Sequence, residues 1–328
     1  MKISDIGEFL LIKRLLEMVE EDPREILGYD DVSDVRVQER FLVVKTDMFV
    51  ESADRWPGMP FSSIGWKSIA MNLSDFAAKG VKPLGGLISL GIPGDMDLTN
   101  VEELYRGIRD VCREYEIFIW GGDTSFAKEL VVVPLLVGFS DKILRRSGAK
   151  PGDILVATGS FGYTPVAYRV FFEGYKVEDE NFWREVLNRI FYPRVFLKFG
   201  VEIARNNMVN AGIDSSDGLA WSLHELVKAS KVRVILEYVP IPPRVHAQLE
   251  AWGLDPLIST LYEGGEEYVA IYSVSPENLD DLYYLAKKMN VDLHTIGRVE
   301  EGSGVYLRKK DKYIPLEAKG WDHFKHDK

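Results

Sequence analysis

The pattern of apolar and polar positions predicts a chain that mixes strands with helices. Runs rich in β-branched residues at 41–47 and 130–139 predict strands of a buried sheet. Apolar residues at three- and four-residue spacing over 6–21 and 98–115 predict amphipathic helices. These strands and helices all fall within the first 140 residues.

A third predicted helix, more apolar than the other two, ends near residue 79. Ser62 or Ser63 is predicted to cap its start, and Gly80 to close it in a left-handed conformation. Asp75 lies among small and apolar neighbours, and an unpaired buried charge costs several kcal/mol. Either Asp75 faces a metal ion, or it forms an ion pair with Lys79 at helical spacing. The sequence of this helix alone leaves both alternatives open.

Two regions are separated by a polar, turn-rich segment at 145–153. We therefore predict an N-terminal domain over 1–140 and a C-terminal domain over 141–328. In the second region, strands are predicted near 153–158 and 232–238, and helical segments lie between them. Ser216 or Asp217 is predicted to cap the helix that begins near residue 219. Pro134, within the run 130–139, predicts a bulge or an edge position there.

Composition narrows the classes of protein that remain. The chain has 328 residues, 46% of them hydrophobic, which suffices for two domains. The net charge of −11 argues against nucleic acid as the main partner. No apolar run predicts a membrane span and the first residues do not resemble a signal peptide, so a cytoplasmic protein is expected. With Cys112 as the single cysteine, neither an internal disulfide nor a cysteine zinc site is expected.

Aspartates recur at turns and strand ends, where ligand-binding side chains are common. Oxygen ligands without cysteine favour Mg²⁺ over zinc, and Mg²⁺ held by carboxylates often binds substrate phosphates. Phosphoryl transfer is therefore the expected reaction class, although no P-loop motif is present. Alone, residues 28–31 could be a solvated turn and residues 121–124 a hairpin turn. The aspartates are Asp30, Asp31, Asp47, Asp75, Asp123, Asp214 and Asp217.

Eight short segments occur in a fixed order and together resemble one family. Each segment is weak evidence alone, but their order is specific. The chain resembles the thiamine-monophosphate kinases, which belong to the superfamily of the ATP-dependent aminoimidazole ribonucleotide synthetases. The segments are Asp30-Asp31, Thr46-Asp47, NLSDFAAKG (72–80), GGDTS (121–125), RSGAKPGD (146–153), IDSSDGL (213–219), GGEEY (264–268) and GWDHF (320–324).

The resemblance implies a fold, a reaction and an assembly. The fold would be an α+β N-terminal domain, which forms half of a barrel-like dimer, followed by an α/β C-terminal domain. The reaction would be Mg²⁺-assisted, in-line transfer of a phosphoryl group from ATP to thiamine monophosphate in a homodimer. We predict a twofold dimer that forms through the long apolar strands at 41–44 and 130–139, whose edges need cover. A phosphate acceptor is already nucleophilic at neutral pH, so we expect no general base.

The resemblance also implies roles for individual residues. Trp321 could stack on the cationic thiazolium ring, or it could be an ordinary core aromatic. The expected metal ligands are Asp30, Thr46, Asp47, Asp75, Asp123, Asp214 and Asp217. The expected ATP contacts are Tyr105, Gly122, Asp123, Arg146 and Ser216. The expected substrate contacts are Asp54, Glu267 and Trp321.

Four positions depart from the pattern usual in that family. Tyr29 replaces a glycine, and Asp54 stands where histidine is common. Lys45 replaces a serine or threonine, and its charge could replace that of one metal ion or simply point elsewhere. Glu266 and Glu267 replace a Glu-Asp pair. These departures lie mostly on the acceptor side, so two alternatives stay open: an ATP-using member with another acceptor, or a non-catalytic nucleotide-binding protein.

Overall fold

Two β-sheets flanked by helices make up the computed structural model, which describes residues 5, 8–16, 18, 24–25 and 30–322. The first sheet has six strands in the order β1-β2-β6-β4-β5, and β3 also pairs with β6. Its pairs are antiparallel except β4 with β5, which is parallel. The N-terminal elements are α1 (Glu8–Leu16), β1 (Ser33–Val37), β2 (Arg40–Thr46), β3 (Phe49–Val50), α2 (Glu51–Asp54), α3 (Phe61–Lys79), β4 (Pro83–Ile92), α4 (Leu98–Tyr115), β5 (Phe118–Phe126) and β6 (Val131–Ser140).

The second sheet has seven strands in the order β13-β12-β9-β11-β7-β10-β8. It is mainly antiparallel, with one parallel pair between β9 and β12. Two short 3₁₀ turns occur at Arg146–Gly148 and Pro276–Asn278. The remaining elements are β7 (Ile154–Ala157), α5 (Tyr163–Glu173), α6 (Glu180–Phe191), α7 (Leu197–Arg205), β8 (Ala211–Ser215), α8 (Leu219–Ser230), β9 (Arg233–Leu236), α9 (Pro243–Ala251), α10 (Pro256–Tyr262), β10 (Val269–Val274), α11 (Leu279–Lys288), β11 (His294–Glu300), β12 (Gly304–Lys309) and β13 (Lys312–Pro315).

Helix α3 lies between the two sheets. It packs on α4 and β6 on one side and on α7, β8 and β10 on the other. The carbonyl of Ala77 accepts a hydrogen bond of 2.8 Å from the Tyr272 hydroxyl in β10. A Cβ on Gly212 in β8 would lie 2.2 Å from the Ala78 carbonyl oxygen, so only glycine allows this approach. Side chains of α3 are therefore held at the junction of the two sheets.

The ends of the helices partly correct the sequence predictions. Gly80 adopts the predicted left-handed conformation, with φ at 68°. The start of α3 is capped by neither serine: Pro60 occupies the N-cap, and the Ser63 hydroxyl donates to the Pro60 carbonyl oxygen at 2.8 Å. Gly218, rather than Ser216 or Asp217, precedes α8 and gives no side-chain cap. The predicted helix over 6–21 is seen as α1, and much of the rest lies outside the described residues.

Two predictions about the first sheet were wrong in part. The GGDTS segment is part of strand β5, and a Cβ on Gly122 would lie 1.8 Å from the Ile88 carbonyl oxygen of β4. Pro134 lies in β6, which is interior rather than at an edge. Along one side of β6, the pairing with β2 ends at Leu135 and the pairing with β3 begins at Val132. Pro134 lies in the gap between these two pairings. A residue without an N–H is tolerated where the neighbouring ladder is interrupted.

No helix within the described ranges combines the length and the apolar character that crossing a bilayer would require.

Candidate active site

Three carboxylates from distant parts of the chain converge between the sheets. Asp31 lies in the bend before β1, Asp75 on α3 and Asp214 on β8. One oxygen from each lies within 4.8 Å of the others. The side chains of Asp31 and Asp75 are only 5% and 7% exposed. Because like charges this close repel strongly in a buried place, the arrangement is favourable only if cations balance it.

Neutral side chains of α3 form hydrogen bonds with Asp214 and with the end of β2. The Ser74 hydroxyl donates to Oδ2 of Asp214 at 2.9 Å, which links α3 to β8. On the other side of the helix, Oδ1 of Asn72 accepts the Asp47 backbone N–H at 3.0 Å. The polar positions of α3 therefore fix the end of β2 and the end of β8 around Asp75.

Two cations hold Asp30 and Asp31. The fully buried Lys79 ammonium lies 2.5 Å from Oδ1 of Asp30 and 2.6 Å from Oδ2 of Asp31, and it donates to the Gly212 carbonyl at 2.7 Å. Arg146 forms ion pairs with both aspartates, and with Oδ1 of Asp30 the distance is 3.1 Å. The alternative in which Lys79 pairs with Asp75 is therefore wrong. Both adjacent aspartates reach one site because they lie in a bend and not in a strand.

Lys45 is the cation that faces Asp75. Its ammonium lies 3.0 Å from Oδ1 of Asp47 and 3.0 Å from Oδ2 of Asp75. Lys45 and Asp47 are two residues apart at the end of β2, so their side chains leave the strand in the same direction. The Lys45 side chain is 20% exposed.

The charges in the site shift the pKa values in opposite directions. Burial raises the pKa of Asp214 to about 6, and the charge of Asp31 adds to the rise. Burial, with repulsion from Asp214 and Asp47, raises the pKa of Asp75 well above its usual value despite Lys45. For Asp31, burial alone would raise the pKa, but Lys79 and Arg146 outweigh it and the pKa is lowered. Asp75 and Asp214 thus lie where additional positive charge would be most favourable.

The remaining predicted metal ligands are placed differently. Asp47 borders the cluster through Lys45, and the Thr46 hydroxyl donates to the Pro134 carbonyl at 2.8 Å. Asp30 contacts Lys79 and Arg146, the two cations that also hold Asp31. Asp31 was named among the aspartates but was not predicted as a ligand, although it is the one whose oxygen joins Asp75 and Asp214.

The predicted nucleotide contacts are spread over several elements. Arg146 is buried beside the cluster, whereas Gly122 and Asp123 are exposed on the edge strand β5. Tyr105 on α4 is 42% exposed. Within the described residues, the carboxylate cluster does not include Asp123.

Ser216 and Asp217 follow β8 directly. The Ser216 carbonyl accepts the Glu266 N–H at 2.6 Å, and the Asp217 carbonyl accepts the Trp321 N–H at 2.9 Å. These two bonds hold the segment after Asp214 against the GGEEY segment and against the end of the chain.

The predicted acceptor residues lie around the GGEEY segment. Glu266 binds Lys67 of α3 at 2.7 Å and accepts the Trp56 indole N–H at 2.9 Å. Oε1 of Glu267 accepts the backbone N–H of Gly162 at 2.6 Å, and burial raises the pKa of Glu267 to about 7. Both glutamates line a cavity of about 540 Å³.

Asp54 and Trp321 are the other two predicted substrate contacts. Oδ2 of Asp54 accepts the Val50 N–H at 2.6 Å, directly before α2. Trp321 is partly buried and is held through its backbone to Asp217. Sequence reasoning missed Trp56 and Lys67, which have no spacing signal that relates them to Glu266.

Comparison with known sequences and structures gives the same architecture. The family model "AIR synthase related protein, N-terminal domain" matches residues 29–139, and the corresponding C-terminal domain matches residues 150–310. The fold and the site therefore define an AIR synthase-related protein of two domains.

Relatives over the whole length give the narrower family. A thiamine-monophosphate kinase of Nitrosopumilus maritimus is 35% identical over 91% of this chain and 95% of its own. The enzyme of that name from Pyrococcus horikoshii is 33% identical over 94% of each chain. A solved structure described as "AaThiL complexed with AMPPCP and TMP" has a TM-score of 0.86 and 28% identity, and covers 98% of this chain and 99% of that one. The chain belongs to the thiamine-monophosphate kinase family.

Proposed function

We propose that this protein transfers the γ-phosphoryl group of ATP to thiamine monophosphate and so forms thiamine diphosphate and ADP. The observation that carries the proposal is the convergence of Asp31, Asp75 and Asp214 in a chain similar throughout to kinases of that name. A structure of similar fold was solved with AMPPCP and TMP, which supports the two substrates. The reaction would take place in the cytoplasm, where ATP is available.

Mg²⁺ is the proposed metal, and the donor set fits it. The converging atoms are carboxylate oxygens, which Mg²⁺ prefers. Burial and mutual repulsion raise the pKa values of Asp75 and Asp214, so a divalent cation there would relieve a real electrostatic cost. Asp31, Asp75 and Asp214 would hold the ion, with Asp47 beside them and Asp30 behind. When bound, Mg²⁺ would neutralise phosphate charge.

The chain's own residues would bring two anions together. Arg146 is a permanently charged guanidinium beside the cluster, and it can pair with phosphate oxygens as well as with Asp30 and Asp31. The other proposed ATP contacts are Gly122, Asp123, Tyr105 and Ser216. The other proposed metal ligands are Thr46, Asp123 and Asp217. Positioning and charge neutralisation supply most of the rate in such reactions, so no catalytic base is assigned.

The acceptor would be held on the side of Asp54, Glu267 and Trp321. The cavity beside Glu267 has room for a small heterocycle. With a pKa of about 7, Glu267 can carry or lack a proton near neutral pH and can therefore donate to or accept from a ring nitrogen.

The test is ADP formation with purified protein, ATP and MgCl₂, with thiamine monophosphate present or omitted. Thiamine diphosphate should form in equal amount to ADP. Thiamine, pyridoxal phosphate and aminoimidazole-type ribonucleotides serve as alternative acceptors. ATP turnover only with another acceptor would indicate an ATP-using member with a different acceptor. No turnover with any acceptor would indicate a non-catalytic nucleotide-binding protein.

Trp321→Ala is expected to raise the KM for thiamine monophosphate by about 3- to 30-fold, since a cation over an indole gains about 0.5–2 kcal/mol. The KM for ATP should stay within about twofold, because ATP is proposed to lie on the Arg146 side. Trp321→Phe should keep most of the affinity. Trp252→Ala, which removes an aromatic packed on Tyr175, is the matched control. An unchanged KM with a lowered melting temperature would make Trp321 a packing residue.

A homodimer is expected, although not through the strands that the sequence suggested. Strands β2 and β6 each have neighbours on both sides, so their edges are already paired. One free edge of this sheet is β5, where Phe118, Trp120 and Phe126 are 57–76% exposed. An exposed apolar edge strand is favourable only when covered.

Light scattering at micromolar concentration should therefore give twice the mass of the 37.3 kDa chain. Trp120→Lys together with Phe126→Lys should shift the mass to that of one chain, because two like charges would meet at a twofold interface. Lys substitutions at the exposed Tyr284 and Tyr313 of the second sheet region control for added charge. A wild-type protein of single-chain mass would reject the dimer.

A further inference from the structure

Lys45 differs from the other cations of the site in where it lies and in what it contacts. Lys79 and Arg146 face Asp30 and Asp31, and Arg146 also lies 3.4 Å from Oε2 of Glu225. Lys45 instead lies on the opposite side, between Asp47 and Asp75. Its ammonium is 3.0 Å from a carboxylate oxygen of each, which is the ordinary distance of a charge-assisted hydrogen bond.

A divalent ion and this ammonium cannot occupy the same place. An Mg²⁺ ion that bridged Asp47 and Asp75 would lie about 2.1 Å from both oxygens. The Lys45 nitrogen already lies between those oxygens, so the ion would have to displace it. That displacement would break both ion pairs of Lys45, whose side chain is only 20% exposed.

We propose that the Lys45 ammonium is a fixed cation of the carboxylate cluster and takes the place of a divalent ion between Asp47 and Asp75. This inference rests on the proposed metal site. It makes Lys45 a positioning residue, which keeps Asp75 directed toward Asp31 and Asp214 whether or not a metal is bound.

The charge balance around Asp75 agrees with this role. When Asp47, Asp75 and Asp214 are ionised, as metal binding requires, they carry three negative charges against the one positive charge of Lys45. The difference of two charges matches a single divalent ion. Without Lys45, three carboxylates would remain in one partly buried space, and a second ion would be needed to balance them.

The decisive experiment counts bound Mn²⁺ by electron paramagnetic resonance in the presence of AMPPCP. Lys45→Met is nearly isosteric but uncharged, and it is expected to bind about one more Mn²⁺ per chain than the wild type. Lys45→Arg keeps the charge and should retain the wild-type count. Lys198→Met, which removes a lysine from an exposed ion pair with Glu116, is the matched control.

Melting temperatures provide a second readout on the same proteins. Metal-free Lys45→Met should melt at a lower temperature than the wild type, and Mn²⁺ should raise its melting temperature more. An equal Mn²⁺ count and an equal Mn²⁺-induced shift in Lys45→Met and wild type would overturn the role of Lys45. A wild type that binds no Mn²⁺ at all would overturn the metal site itself.

The wild type gives a test that does not depend on the variant folding. In crystals grown with MnCl₂ and AMPPCP, anomalous difference density should mark Mn²⁺ near Asp75 and Asp214. No peak should lie between Oδ1 of Asp47 and Oδ2 of Asp75, where the Lys45 nitrogen should remain. A Mn²⁺ peak at that position, with Lys45 turned away, would refute the proposal.

Discussion

Asp75→Asn is expected to lower the turnover number at least about 100-fold, the size of loss seen when a group that stabilises transition-state charge is removed. A neutral amide binds Mg²⁺ poorly, and Asp75 is the carboxylate that faces both Asp214 and Lys45. The measurement is kcat from coupled ADP release at saturating ATP, MgCl₂ and thiamine monophosphate.

Stability should move differently from activity in this variant. Burial and three neighbouring carboxylates make the charge of Asp75 costly, so the neutral amide should leave the urea midpoint of the metal-free protein unchanged or raise it. Asp110→Asn removes an exposed aspartate paired with Arg109 on α4 and should change neither quantity. If Asp75→Asn turned over like the wild type, the cluster would be structural and the proposed metal site would be wrong.

Local sequence signals account for the parts of the fold that were predicted well. Helix α4 spans the predicted 98–115, because its apolar spacing and its surroundings favour the same structure. Gly80 closes α3 as predicted, since few other residues adopt its conformation without strain. The strand over 41–47 is seen as β2, because its run of apolar and β-branched residues favours a strand.

What the sequence could not give was the choice of partners between elements. At helical spacing Lys79 is a good partner for Asp75, but the packing of α3 against β8 turns Lys79 toward Asp30 and Asp31. Lys45, thirty positions before Asp75, supplies the ion pair instead. The bend at 30–32 brings both adjacent aspartates to one site, which strand alternation would have forbidden. Tertiary contacts of this kind have no local signal.

Lys79→Met is expected to give the largest loss of stability among the variants described. Lys79 is completely buried and touches Asp30, Asp31 and the Gly212 carbonyl. Removing one partner of a buried ion pair leaves the other charges uncompensated and typically costs about 3–5 kcal/mol. Arg146 remains near both aspartates, so the loss should be partial rather than complete unfolding.

Urea unfolding of the metal-free protein measures this loss, and Lys82→Met gives the scale for a lysine whose ion pair with Glu116 is exposed. That control should lose little or no stability, as is usual for solvent-exposed ion pairs. Measurements at acidic pH make the test more specific. Because Lys79 helps to lower the pKa of Asp31, the stabilising effect of Lys79 is present at neutral pH and is lost as protonation removes the charge of Asp31. The difference in stability between wild type and Lys79→Met should therefore shrink as the pH falls through the acidic range. An equal difference at neutral and at acidic pH would mean that Lys79 acts through packing and its bond to Gly212, and not through the charges of Asp30 and Asp31.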